Sequence, residues 1–198
     1  MRTDWIAEQV GKIRGLKGQT VSSLVAREMA FRGGEGDGPS QFSDSTLPFL
    51  QLDALYLRLG SGKTVQFITY QNNLKWGLIL TFDVEPRELV FDAGSNDSIV
   101  RTGELDTFPT GSISAVDVTL DSDGDISEVL LDISGEPILL VAGEVYEQAD
   151  GTLEVCIGDE SILLFREPSR KAEVRFQNGL DPPVDRRLNR SWSMTKPR

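Results

Sequence analysis

The sequence predicts a mainly β protein: an antiparallel sandwich or open barrel of about ten strands with one N-terminal helix. Three observations carry that expectation. Short segments alternate apolar and polar residues at period two through residues 49–165, as in Leu55-Tyr56-Leu57 and Val116-Asp117-Val118. Glycine-containing turn pairs separate them at close intervals. No strand–helix alternation of the kind that builds a parallel α/β sheet is present.

Taken in order, Ile6, Val10 and Ile13 recur at spacings of four and three, with Asp4 in the first turn and Gly15 past the end, so a helix is expected over 3–14. Val21, Leu24, Val25, Met29 and Phe31 fit a strand or a helix, and the β-branched start favours a strand. Residues 32–45 hold four glycines and a proline and read as a long mobile loop. Gly60-Ser61-Gly62 is expected as a three-residue hairpin loop that sets Leu57 against Val65 and Leu55 against Phe67. Residues 78–82 and 88–91 read as two further strands, and 92–111 as a second long loop.

The next hairpins fix registers. With Asp123-Gly124 as a two-residue loop, Val118 faces Val129 and Val116 faces Leu131. With Gly135-Glu136 as the next, Ile133 faces Ile138 and Leu131 faces Leu140. A loop at 149–151 pairs Val145 with Val155; a two-residue loop at Asp150-Gly151 would instead oppose Glu147 to Glu154. Gly158-Asp159 reads as a further hairpin setting Val155 against Ile162. A last strand is expected over 173–176. These elements form one β-rich domain over residues 1–177, followed by a basic extended tail over 178–198.

Charge is distributed unevenly. Residues 49–165 carry 21 Asp/Glu against five Lys/Arg, a formal −16, whereas the whole chain carries −11 and the last 33 residues sum to +5. On the Asp123 hairpin the inward apolar row leaves Asp117, Asp121, Glu128 and Asp132 on the opposite face. Such a face steers basic partners and repels phosphates, so a basic protein partner is expected and nucleic acid is not. The expected role is an acidic protein-binding module that neutralises its partner, of the immunity or inhibitor kind. The alternatives are a β-barrel small-ligand or metal-binding protein and a carboxylate-dependent hydrolase.

The inventory narrows the chemistry. There is no histidine, which excludes Ser-His-Asp and Cys-His nucleophiles and imidazole-ligated zinc, and the lone Cys156 cannot form an intrachain disulfide or a thiolate cluster. Gly60-Ser61-Gly62-Lys63-Thr64 lacks the earlier glycine of a P-loop, Leu57 standing in its place, and a β segment follows where a helix is required. Asp121-Ser122-Asp123-Gly124-Asp125 resembles the start of an EF-hand loop, but Ile126 replaces the sixth-position glycine and Asp132 the twelfth-position glutamate. Neither an enzyme nor a bound metal or cofactor is therefore expected. No apolar run approaches the ~20 residues of a membrane helix, and the N-terminus has no apolar signal region, so a cytoplasmic setting with no membrane partner is expected.

Overall fold

A computed structural model describes residues 2–33, 39–72, 75–82 and 99–178. The described residues are mainly β, with ten strands in one mixed sheet and a single α-helix. The helix α1 is Arg2–Arg14, and the strands are β1 Thr20–Met29, β2 Phe49–Leu59, β3 Thr64–Asn72, β4 Lys75–Phe82 and β5 Val100–Glu104. They continue as β6 Gly111–Leu120, β7 Ile126–Ile133, β8 Glu136–Glu147, β9 Leu153–Phe165 and, after a 3-10 helix at Pro168–Glu173, β10 Phe176–Asn178.

The pairings close on themselves. β1 pairs β2, whose first residues pair the end of β9; β9 pairs β8, then β7, then β6, and β6 returns to β1 at Val21 and Gly111. β2 can serve both neighbours because it changes partner along one edge. Residues 49–52 pair β9 and residues 55–58 pair β3, with an irregularity at Asp53 that shifts the inward phase from Leu50 and Leu52 to Leu55, Leu57 and Leu59. β3 and β4 extend the sheet from β2, and β4 lies against β7, β8 and β9.

The space so enclosed is filled. Leu52, Leu55, Leu57, Phe67, Leu78, Ile113, Val129, Leu131, Ile138 and Leu140 have no exposed surface and belong to one core. α1 adds Ile6 and Ile13, with Leu16 just beyond its end, and packs on β4 and β6. Burying a large aliphatic side chain is worth about 1.5–3 kcal/mol, so this one layer accounts for most of the drive to fold. A second cluster on the outer side of β8 and β9 holds Phe31, Phe49, Val141, Leu163 and Phe165.

Several expected registers are present: Leu57 with Val65, Val118 with Val129, Val116 with Leu131, and Val145 with Val155. Others are corrected. The Asp123 loop has three residues, not two: Asp121 N–H donates to the Asp125 carbonyl, Leu120 faces Ile126, and a bulge at Ser127 restores the register by Thr119 and Glu128. The next loop is Ser134-Gly135, where both residues take positive φ (56° and 87°) as a type I′ turn requires, so Leu131 faces Ile138 and Val129 faces Leu140. The slip is two residues in pairing and leaves every side chain on its expected face.

Gly158-Asp159 is not a hairpin. β9 runs through it alongside β8, and residues 158–161 form an insertion between the pairs Ala142–Ile162 and Gly143–Ile157. Gly143 makes this possible: a Cβ there would sit 2.5 Å from the Cys156 carbonyl oxygen. The bulge divides β9, leaving its first part to β10, in parallel, and its last part to β2. Within the expected loop 92–111, Val100–Glu104 is instead β5, paired with β1. The expected last strand, 173–176, is displaced to β10 behind the proline-initiated 3-10 helix. The expected strand at 88–91, residues 34–38 of the first loop and the tail from 179 lie outside the described residues; the rest of that first loop is tied by Arg32 to Asp44 and by backbone bonds to Gln41.

Candidate functional site

The β6–β7 hairpin brings three of its four candidate carboxylates to one face. Asp117 is opposite Leu130, so Glu128 and Asp132 are its two diagonal neighbours, about 7–8 Å away between backbones. Asp117 is exposed; Glu128 and Asp132 are half-buried. Asp121 is not part of that group. Its carboxylate accepts the backbone N–H groups of Asp123 (2.9 Å) and Asp125 (3.0 Å), closing its own turn, and lies 4.0 Å from Lys75 Nζ on β4.

The three on the face differ in what they already hold. Asp132 accepts the Ser114 hydroxyl at 2.6 Å and the Gly135 N–H at 2.9 Å, which commits it to the type I′ turn. Glu128 accepts from Lys171 Nζ at 2.5 Å, a partly buried pair formed with the 3-10 helix. Asp117 and Glu128 flank a shallow groove of about 480 Å³ whose remaining walls are Val118, Thr119, Leu130, Leu139, Pro168 and Lys171. The candidate site is this groove, with one exposed carboxylate and one paired with the Lys171 ammonium.

The EF-hand-like turn places its acids differently. Asp123 pairs with Lys75, whose ammonium is held above its usual pKa by that hydrogen bond first of all. Asp125 is buried and accepts hydrogen bonds from the Tyr70 hydroxyl and from Asn72 Nδ2 (2.7 Å). The turn is thereby fastened to the β3–β4 hairpin, and Trp5 of α1 stands edge-on to Tyr70 with ring centroids 4.9 Å apart. Among the described residues no three carboxylate or thiol groups are placed to share a metal ion.

A second polar group was not visible from the sequence. Glu144, on β8 opposite Cys156, has no exposed surface, and the Tyr146 hydroxyl lies 3.3 Å from its carboxylate and 3.0 Å from that of Asp159. Burial first, then the neighbouring Glu144 and Asp159 charges, push the Tyr146 phenol well above its ordinary pKa. In sequence Glu144 reads as one more surface acid. Its burial follows from the inward phase of β8, where Leu140 and Ala142 precede it on the same row. The basic segment that begins near Lys171 could fold back on the acidic sheet, but its pairing with Glu128 on β7 is set by the fold rather than by local sequence.

No family model matches the chain, and no curated protein matches it.

Proposed function

We propose that the chain is an acidic protein-binding module that recognises and neutralises a basic protein partner. The supporting observation is the Asp117–Glu128 groove on a segment of formal charge −16. Asp117 offers an exposed carboxylate, Glu128 already accepts an ammonium, and Leu130, Leu139 and Pro168 supply an apolar wall for the methylene stem of a lysine or arginine. Long-range attraction raises the encounter rate, and the groove selects the pairing. A ligand inside the ring would have to displace side chains such as Leu57, Phe67 and Ile113 that have no exposed surface, which argues against the barrel-interior alternative.

The test is binding of octalysine at low salt to the wild type, to Asp117→Lys/Glu128→Lys, and to a charge-matched control, Asp106→Lys/Glu136→Lys, at two other exposed acids. The reading expects the first pair to weaken binding well beyond the control. Equal losses in both would reduce the face to general electrostatics and contradict it.

A further inference from the structure

The core-facing row of β6 runs out of the core. Val116, Val118 and Leu120 face the fully buried Leu131, Val129 and Ile126, yet Val116 and Val118 are only half-buried and Leu120 is 47% exposed. Across from them stands α1, and between lies a groove of about 580 Å³ floored by Ile6 and Val10. Its helical wall is Ala7, Gly11 and Arg14, spaced four and three along one face.

Gly11 is the informative residue on that wall. A glycine in a helix interior is unfavourable relative to alanine, and it is normally retained for a left-handed backbone or a close approach. Neither applies here: Gly11 lies within a regular helix, and beyond its chain neighbours and the surrounding helix backbone no described heavy atom comes within 4 Å of the position its Cβ would occupy. What its missing side chain leaves is the groove. Arg14 lines the same groove and forms no ion pair among the described residues, whereas the one acid on the lining, Asp123, is neutralised by Lys75. The unspent charge of an otherwise apolar cleft is therefore a guanidinium, whose planar fork matches a carboxylate.

We propose that the α1–β6 groove binds a small amphipathic carboxylate, an unbranched medium-length alkyl chain with its acid group on Arg14. The chain lies along Val118 and Leu120 and continues the apolar row in front of Gly11. The volume falls within the roughly 300–1,000 Å³ of small-ligand sites, and Ala7 to Arg14 spans about 10 Å of helix, which suits such a chain and is too short for a protein interface. This groove shares only Val118 with the acidic groove, Leu120 reports on it alone, and neither proposal depends on the other.

The experiment is a titration of the full-length protein with decanoate, followed by the methyl resonances of Val118 and Leu120, with decan-1-ol as the uncharged probe. Saturable shifts of both residues are expected with decanoate and weaker binding with decan-1-ol. Arg14→Gln should weaken decanoate binding roughly tenfold by removing a charged hydrogen-bond donor. Gly11→Leu should block the groove, with an unchanged circular-dichroism spectrum showing that the fold is kept. Absence of saturable shifts below the micelle concentration of decanoate would overturn the proposal. So would equal affinity for the two probes with no effect of Arg14→Gln. Contacts from residues 179–198 to the Leu120 methyls in the free protein would also overturn it, by naming the chain's own tail as the occupant.

Discussion

The acids of the Asp123 turn and the acids of the β6–β7 face lie within one hairpin and have the same chemistry, but they do different work. In the turn, Asp121 closes the loop through two backbone N–H groups, Asp123 holds Lys75, and Asp125 is buried against Tyr70 and Asn72. On the face, Asp117 is exposed and Glu128 holds only a lysine from a neighbouring segment. Negative charge counted along the chain therefore does not equal negative charge offered to a partner. On this hairpin the acids adjacent to turns are drawn into backbone and cross-strand hydrogen bonds, whereas mid-strand Asp117 stays exposed.

The contrast can be broken at several points. The largest effect is expected at Asp125→Ala, where the Tyr70 hydroxyl and the Asn72 amide lose a buried acceptor and the turn loses its attachment to β3–β4; about 2–3 kcal/mol of stability should go in denaturant unfolding. Asp121→Ala removes the acceptor for two turn N–H groups and should cost about 1–2 kcal/mol by the same measurement. Asp117→Ala should fall within about 0.5 kcal/mol of the wild type. A loss at Asp117 as large as at Asp121 would erase the distinction between the two groups.

A pH measurement sharpens it further, using an acid committed to a loop. Hydrogen bonds from Arg32 and then from Thr46 hold the Asp44 carboxyl at about 2, below its usual value of 3.8. Because the folded-state pKa is the lower one, Asp44 contributes stability that is present above about pH 4 and is lost as pH falls through about 2. Asp44→Asn should flatten that part of the acid-unfolding curve, and Asp117→Asn should leave it unchanged.

Much of the fold was legible because period-two alternation together with glycine turns specifies which side chains face inward. Even where the Gly135 loop fell one residue away from the expected position, the pairing slipped by two and the inward row of Val129, Leu131 and Ile133 was kept. What alternation cannot reveal is whether a glycine ends a strand or bends it. Gly158 does the latter, because β8 is long enough, at Glu136–Glu147, to pair both halves of β9. Site geometry was less legible. Asp121 left the expected group once the loop gained a residue, and the Lys171 contact and the burial of Glu144 depend on tertiary placement that local pattern does not encode.

The most direct test of the account is the stopped-flow association rate with octalysine as ionic strength rises, for the wild type, for Asp117→Lys/Glu128→Lys and for Asp106→Lys/Glu136→Lys. If the β6–β7 face is the docking surface, the face variant associates more slowly at low salt and shows a shallower salt dependence than the control of equal net charge. Identical rates and slopes for the two variants would contradict it, and would assign the −16 segment to solvation alone.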